Sequence, residues 1–178
     1  VKVIKEVIEK ELLFQRGEKF DDVFEEFDEV PLGSASVAQV HHAVLAKKYG
    51  GGEVAVKVQR PSIEDKLMGD VANLKRIAKL FRELSVNLPV DYYAIFTELE
   101  EQLKDEFDFE VEAASMERMH KILTTDENGE KRESPVVTPR PIPALVSKRV
   151  LVMEFLKGVP LSRASDEMKR KGIVADGV

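Results

Sequence analysis

Cysteine and tryptophan are both absent from this 178-residue sequence, and histidine occurs only three times. Without cysteine there is no disulfide framework, no thiolate chemistry and no cysteine-based zinc site. His41 and His42 are adjacent, and on a strand they would point to opposite faces. We therefore interpret them as packed or solvent-facing side chains rather than as metal ligands.

An excess of positive charge and long apolar runs are missing too. The 27 basic residues against 33 acidic ones give a net charge of −6, so the sequence lacks the basic face that nucleic-acid binding needs. No run of about 18 apolar residues is present, which excludes a transmembrane segment within this sequence. The chain opens on Val1-Lys2-Val3 without a signal or transit peptide, and we expect it to be a piece of a longer protein.

The first half of the sequence predicts helices followed by strands. Apolar residues at three-and-four spacing predict an amphipathic helix over residues 1–14 that covers one side of a core. Residues 20–27 fit a short helix, and the chain then looks extended into Pro31. Residues 38–46 and 53–59 predict two antiparallel strands joined by a glycine-rich hairpin.

Two long helices are predicted next. The first begins at Pro61-Ser62 and ends before Pro89, and the second runs unbroken over residues 91–123. The polar residues 124–141 predict a solvated loop. The order of elements indicates an α+β fold, in which a small antiparallel sheet packs with two long helices.

The C-terminal part predicts two buried strands and one short helix. The strands are expected at residues 142–147 and 149–156. The helix is expected to be capped by Ser162 or Ser165 and stopped by Gly172.

The strand over residues 53–59 carries a candidate nucleotide-binding lysine. Its alternation places three valines on one face and three other residues on the opposite face, namely Ala55, Lys57 and Gln59. A small alanine leaves room for a flat base while the lysine ammonium on the same face reaches phosphates. The simpler alternative is a half-exposed strand with a solvated lysine.

Acidic residues are concentrated in residues 98–112, which contain eight acids and one lysine. Like charges recur there four residues apart, as at Asp108 and Glu112, and such pairs destabilise an isolated helix. The cluster therefore predicts a nearby cation, for which Lys57 is a candidate. The alternative is a solvated acidic face.

Residues 33–38, with the sequence GSASVA, contain one glycine where phosphate-binding loops usually have three. Glycine lets several backbone N–H groups point at one phosphate, and each Cβ restricts that freedom. The hydroxyls of Ser34 and Ser36 are partial substitutes. Taken alone, the segment is a small-residue turn.

Four segments together closely resemble the UbiB-like atypical kinases, the aarF-domain or coenzyme-Q-biosynthesis kinase-like family. They are PLGSASVAQVH, VAVKVQRP, EFDFEVEAASMER and VLVMEFLKG, and the resemblance covers residues 1 to 165. It implies the N-terminal lobe of a protein-kinase-like fold, with the C-lobe absent. The domain limits that follow are a helical extension at 1–30, the lobe at 31–157 with its loop insert at 124–141, and the hinge exit with the start of a truncated C-lobe at 158–178.

The resemblance also implies site residues. Lys57 and Glu112 would form the catalytic ion pair, and Glu106 with Asp108 would be the Glu-x-Asp element that meets a Lys-x-Gly-Gln helix in relatives. Met153 would guard the back of the adenine pocket, beside hinge residues. The full nucleotide-binding set would be Gly33, Ser34, Ala35, Ser36, Val37, Ala38, Ala55, Lys57, Met153, Glu154, Phe155 and Leu156.

ATP or ADP with Mg is the ligand that the resemblance implies, but the sequence contains neither the family's catalytic loop nor its Asp-Phe-Gly metal site. Asp176-Gly177 is no substitute, because it follows the hinge too closely and lacks the phenylalanine. Since phosphoryl transfer needs a positioned base and a metal clamp, we expect this polypeptide alone to bind nucleotide weakly and to be inactive, with no metal site of its own.

The expected function is that of an ATP-binding piece of an atypical protein-kinase-like kinase or ATPase, linked by resemblance to isoprenoid quinone (ubiquinone) lipid metabolism. Lipid, membrane or quinone-biosynthesis partners are implied in the same way, and so is a location in mitochondria, plastids or the periphery of bacterial membranes. Two alternatives remain open. One is a pseudokinase or nucleotide-sensing regulatory module, and the other is a helical adaptor whose acidic helix binds a basic partner.

Overall fold

A six-stranded antiparallel sheet forms the centre of the computed structural model, which describes residues 2–13, 17–86, 88–126, 128–134, 136–159 and 161–171. The strands are β1 (Phe24–Phe27), β2 (Gly33–Ser34), β3 (Ala38–Leu45), β4 (Glu53–Gln59), β5 (Pro141–Ser147) and β6 (Val150–Glu154). They lie in the order β1-β3-β4-β6-β5, and β2 pairs with the first half of β3.

Helices precede, interrupt and follow the sheet. They are α1 (Lys2–Ile8), continued by a π-helical turn (Glu9–Leu13), α2 (Phe20–Val23), α3 (Ile63–Glu83), α4 (Tyr92–Glu106), α5 (Phe109–Thr124) and α6 (Leu161–Arg170). Helix α3 packs along α4, and α5 packs against β5 and β6. The predicted α+β fold with a small antiparallel sheet is confirmed.

One face of the sheet, here called the α1 face, is covered by the N-terminal helices. Val54, Val56 and Val58 of β4 point into this core, as the alternation of the strand predicted. Ile4 and Ile8 of α1 belong to the same buried cluster, together with Leu12 of the following turn. The amphipathic N-terminal segment therefore covers one side of the core, as predicted.

The opposite face, here called the α5 face, carries the other residues of β4. Ala38 and Leu151 of the sheet pack there against Phe109 and Ala113 of α5. Because α5 lies on this face, the side chains of β4 that point to it are partly or fully buried, and Gln59 is only 2% exposed. Its Nε2 donates a hydrogen bond to the carbonyl of Phe107.

The backbone conformation of the connection between β3 and β4 explains why it contains three glycines. A short 3₁₀ turn (Lys47–Tyr49) is followed by Gly50, Gly51 and Gly52 with φ angles of +93°, +66° and +91°. Side chains rarely adopt these angles, so glycine is required by the backbone conformation.

The prediction of one continuous helix over residues 91–123 was wrong. The helix is interrupted between α4 and α5, where the backbone of Asp108 is extended, with φ −118° and ψ 97°. Its Oδ1 accepts a hydrogen bond from the Glu110 N–H at 2.9 Å, and the flanking Phe107 and Phe109 are both buried. The capping bond of Asp108 and the burial of the two rings therefore interrupt the helix, although the spacing of apolar residues continues unbroken. As a result, Asp108 and Glu112 are not i,i+4 neighbours within one helix.

Two boundaries also differ from the sequence-based expectation. The extended stretch after α2 begins at Phe24, so part of the expected helical extension at 1–30 is strand β1 of the sheet. Ser162 and Ser165 lie inside α6, which begins at Leu161, so neither precedes the helix as its cap. The expected stop at Gly172 and the Asp176-Gly177 pair lie outside the described residues.

Candidate functional site

Lys57 and Glu112 form an ion pair on the α5 face. The Lys57 Nζ donates to both carboxylate oxygens of Glu112, at 2.6 and 2.8 Å. Strand alternation turns Lys57 towards α5, and Glu112 lies in the first turn of that helix. The two side chains are 23% and 39% exposed, so the pair is partly shielded from water but open on one side.

Phe109 is a second partner of Lys57 that the sequence reasoning missed. The Lys57 ammonium lies 4.6 Å from the centre of the Phe109 ring, which is itself 1% exposed. An ammonium over an aromatic face is attracted by the ring quadrupole. The lysine is thus held by a carboxylate and by an aromatic ring. The sequence contains a signal for this contact in the two phenylalanines that flank Asp108, but the same residues also fit helical periodicity.

The loop at residues 33–38 is tied to the chain just beyond the lysine strand. Within the loop, the Ala35 N–H donates to the Ala38 carbonyl at 2.8 Å. Arg60 donates to three loop acceptors, the carbonyls of Ala35 and Val37 and the hydroxyl of Ser34. Nothing in the sequence pattern marked Arg60 for this position. None of these loop residues has a positive φ, so the loop is built without the backbone freedom of glycine.

The predicted hinge residues follow directly from the sheet. Met153 is half-buried beside the α5 face. The Glu154 N–H donates to the Arg140 carbonyl at 2.9 Å, and the Arg140 N–H donates to Glu154 Oε2 at 3.0 Å. Because the Glu154 N–H is already used in this way, it is not free to donate to a ligand at the hinge.

The segment after the hinge strand lies against the ends of β3 and β4. The Phe155 ring packs edge-on to His42, with ring centres 4.8 Å apart. Lys157 hydrogen-bonds Glu53, and this bond holds the pKa of the Glu53 carboxyl below its usual value. His42 Nε2 also lies 3.3 Å from Glu53 Oε1. These contacts fix the start of the segment beside Ala55, which pairs with His42 in the sheet.

The structure does not gather every predicted site residue around the ion pair. Glu106 is exposed at the end of α4, and no side-chain hydrogen bond or ion pair joins it to another described residue. Asp108 caps α5 instead of facing Lys57. Two of the other acids pair with different cations, Glu100 with Lys75 and Glu101 with Lys104, so the acids do not converge on one cation.

Neither a cluster of metal ligands nor a membrane-spanning helix is present among the described residues. No group of three or more histidine, aspartate or glutamate side chains in the described ranges is placed to hold a metal ion. Across the same ranges, every helix is too short or too polar to cross a membrane.

Known proteins of one family match this chain. A family model described as the ABC1 atypical kinase-like domain matches residues 1–178. The mitochondrial atypical kinase COQ8B of Danio rerio is 34% identical over 163 residues, which are 90% of this chain and 23% of the relative. The probable protein kinase UbiB of Haemophilus ducreyi is 33% identical and is covered to 28%, with 90% of this chain matched. The chain thus spans about a quarter of the length of these curated relatives.

A solved structure gives the same fold. The erythromycin complex of Rv3197 from Mycobacterium tuberculosis superimposes with a TM-score of 0.68 and 27% identity, over 90% of this chain and 37% of that one.

Proposed function

We propose that this chain, which belongs to the ABC1 atypical kinase-like domain family, forms the ATP-binding lobe of an atypical kinase or ATPase. The observation that carries the proposal is the ion pair of Lys57 and Glu112 between a strand and a helix. In protein kinases a strand lysine paired with a helix glutamate binds the nucleotide phosphates.

The residues around the pair suit a nucleotide. Lys57 would bind the α and β phosphates, while Glu112 and Phe109 keep its ammonium on the α5 face. Ala55 lies two residues earlier on the same face, where its small side chain leaves room for a base. The backbone groups of Phe155 and Leu156 would bind the base edge, and Met153 would limit the depth of the pocket.

Mg is the metal that this family is expected to use with its nucleotide, where it would neutralise charge on the phosphates. The described residues offer no group of side chains for it. This chain's contribution is therefore to bind and orient the nucleotide. Glu106, at the end of α4, is proposed to act in the Glu-x-Asp element with Asp108, whose observed contact is the cap of α5.

The biological setting follows from the relatives. The names COQ8B and UbiB support a kinase-like role related to ubiquinone biosynthesis. We propose lipid or quinone-biosynthesis partners and a place at a mitochondrial, plastid or bacterial membrane. The activity of the complete protein is part of the same proposal, because this chain spans only a quarter of those relatives.

Binding of ADP to the complete protein tests the proposal. Lys57→Ala removes the charged donor to the phosphates, and charge-assisted hydrogen bonds contribute enough for an expected loss of about 10- to 100-fold in affinity. Lys48→Ala is the matched control, because Lys48 lies in the turn between β3 and β4 and its ammonium pairs with Glu18. Titration calorimetry measures the dissociation constant, and a thermal melt shows that both variants fold.

The outcomes separate this proposal from its two alternatives. ADP binding that is unchanged by Lys57→Ala contradicts the assigned site. Binding without ATP turnover by the complete protein favours a regulatory pseudokinase. A folded wild-type protein that binds no nucleotide favours an adaptor whose acidic helix binds a basic partner.

A further inference from the structure

Arg60 holds the loop at residues 33–38 through three hydrogen bonds. Its backbone N–H donates to the Val37 carbonyl at 2.8 Å, and its Nε donates to the Ala35 carbonyl at 3.1 Å. Its Nη2 donates to the Ser34 hydroxyl at 2.5 Å. Arg60 is three residues beyond Lys57, so one strand carries the lysine and its end carries the contact to the loop.

The side chain of Arg60 lies on the α1 side of the sheet. Arg60 continues the alternation of Val54, Val56 and Val58, which point into the α1 core. It also lines two clefts beside Val3 of α1. Lys57 points to the opposite face, so the side chains of Arg60 and Lys57 lie on different sides of the sheet.

Fixing a carbonyl also fixes the amide next to it. In a planar trans peptide, the C=O and the following N–H point in opposite directions, and the described residues contain no cis peptide. The Ala35 carbonyl is turned towards the Arg60 guanidinium on the α1 side, so the Ser36 N–H turns away from that side. The Val37 carbonyl instead accepts from the Arg60 backbone N–H in the plane of the sheet, which extends the pairing of β3 with β4 by one residue pair. The Ser36 N–H donates to no other described residue.

We propose that Arg60 is a positioning residue that orients the loop amide of Ser36 towards the Lys57 side, where it donates to a phosphate oxygen of a nucleoside diphosphate or triphosphate. The inference rests on the nucleotide-binding function proposed above. Phosphate loops usually obtain this orientation from glycines with positive φ, which this loop lacks. A guanidinium outside the loop replaces that freedom by holding the Ala35 carbonyl and the Ser34 hydroxyl.

The role of Arg60 predicts a loss of affinity for phosphate and not for base. ADP and adenosine are titrated against the complete protein, because their ratio of dissociation constants isolates the contribution of the phosphates. Arg60→Ala is expected to weaken ADP binding by about tenfold while adenosine binding stays unchanged. Ser34→Ala, which removes one of the three contacts, is expected to cost only about two- to threefold.

Two further variants separate geometry from charge. Arg60→Lys keeps the charge and the backbone N–H but cannot donate to two acceptors in the planar arrangement of a guanidinium, so an intermediate loss is expected. Arg76→Ala removes another exposed arginine, which lies on α3 and donates to Asn73, and should leave the binding of both ligands unaffected. Amide hydrogen exchange should be faster at residues 33–38 in Arg60→Ala and not in Arg76→Ala.

The results distinguish a failure of the role of Arg60 from a failure of the proposed nucleotide-binding function. Wild-type binding of ADP together with unchanged ADP affinity in Arg60→Ala overturns the role of Arg60 alone. Equal losses for ADP and adenosine also overturn it, because they indicate general disruption of the lobe. A wild-type protein that binds neither ligand overturns the proposed function, and the role of Arg60 is rejected with it.

Discussion

Lys57 contacts two unlike partners at the same time, and the combination restricts where its ammonium can go. Glu112 supplies a charged acceptor at 2.6 Å, while the Phe109 ring lies 4.6 Å below the ammonium. An aromatic face attracts the cation by about 0.5–2 kcal/mol and keeps water from that side. The open side of the ammonium is the one left for a ligand.

Replacing Phe109 by leucine tests this second partner. Leucine keeps an apolar side chain at the buried position but removes the ring quadrupole, so we expect ADP affinity to fall by about three- to tenfold. Calorimetric titration of the complete protein measures the change, and the fold must be retained in a thermal melt.

Phe107→Leu is the matched control for that substitution. Phe107 is as buried as Phe109, but the Lys57 ammonium lies over the ring of Phe109, and the bond from Gln59 to the Phe107 carbonyl does not depend on the Phe107 ring. Both variants should lose a similar amount of stability, about 1 kcal/mol. Equal losses of ADP affinity in the two variants would show that Phe109 acts through packing alone.

At the scale of secondary-structure elements, helix α5 is tied to the sheet at two points along its length. Glu112 joins it to the lysine strand, and Glu117 joins it to Arg140 at 3.2 Å. Arg140 is in turn paired through its backbone with Glu154 at the end of β6. A shift of α5 would therefore disturb both the lysine and the hinge strand.

The sequence predicted the strands of this site better than its helix. Strand alternation has a period of two residues, so the faces of β4 followed directly from the positions of Val56 and Lys57. The break before α5 was not predicted, because Phe107 and Phe109 also fit an apolar helical stripe. The role of Arg60 could not have been found, since two of its three acceptors are backbone carbonyls of a distant loop, and backbone acceptors leave no residue signature.

Helix α3 is attached to the sheet through Glu64. Its carboxylate accepts from Lys148 at 2.7 Å and from Arg149 at 3.3 Å, in the turn between β5 and β6. The hydrogen bond from Lys148 is the main reason that the pKa of Glu64 lies below its ordinary value of 4.5, with a smaller contribution from Arg149.

Glu64→Gln should consequently lower stability in a pH-dependent way. Because the folded-state pKa is depressed, the carboxylate stabilises the fold above pH 4.5 and loses that effect as the pH falls through the folded-state value. We expect a difference in unfolding free energy of less than about 1 kcal/mol at pH 7, shrinking to nothing at low pH. Urea unfolding at a series of pH values measures it.

Glu83→Gln serves as the control for this pH series. Glu83 pairs with Lys79 at 3.8 Å, and both side chains are more than 60% exposed, so the substitution should change stability little at any pH. A Glu64→Gln deficit that stays constant or grows as the pH falls would contradict the assignment to the ionised carboxylate.

At the scale of the whole molecule, the sheet is buried on both faces by different parts of the chain. Helix α5 covers the face that carries Lys57, and α1 with its π-helical turn covers the other. The strand β4 contributes alternate residues to both cores. The N-terminal helix is therefore part of the structural support for the lysine strand, although it lies on the opposite side from the proposed nucleotide.

A substitution in α1 should accordingly weaken the whole fold. Ile8 is fully buried in the cluster that contains Val56, so Ile8→Ala removes apolar contact and leaves a cavity, with an expected loss of about 2–5 kcal/mol in unfolding free energy. Val3 on the same helix is 53% exposed, and Val3→Ala should change stability by less than about 0.5 kcal/mol. Denaturant unfolding followed by far-ultraviolet circular dichroism compares the two. If α1 did not contribute to the core, Ile8→Ala would leave the midpoint of the main unfolding transition at its wild-type value. Because α1 packs against the core, we expect the substitution to lower that midpoint.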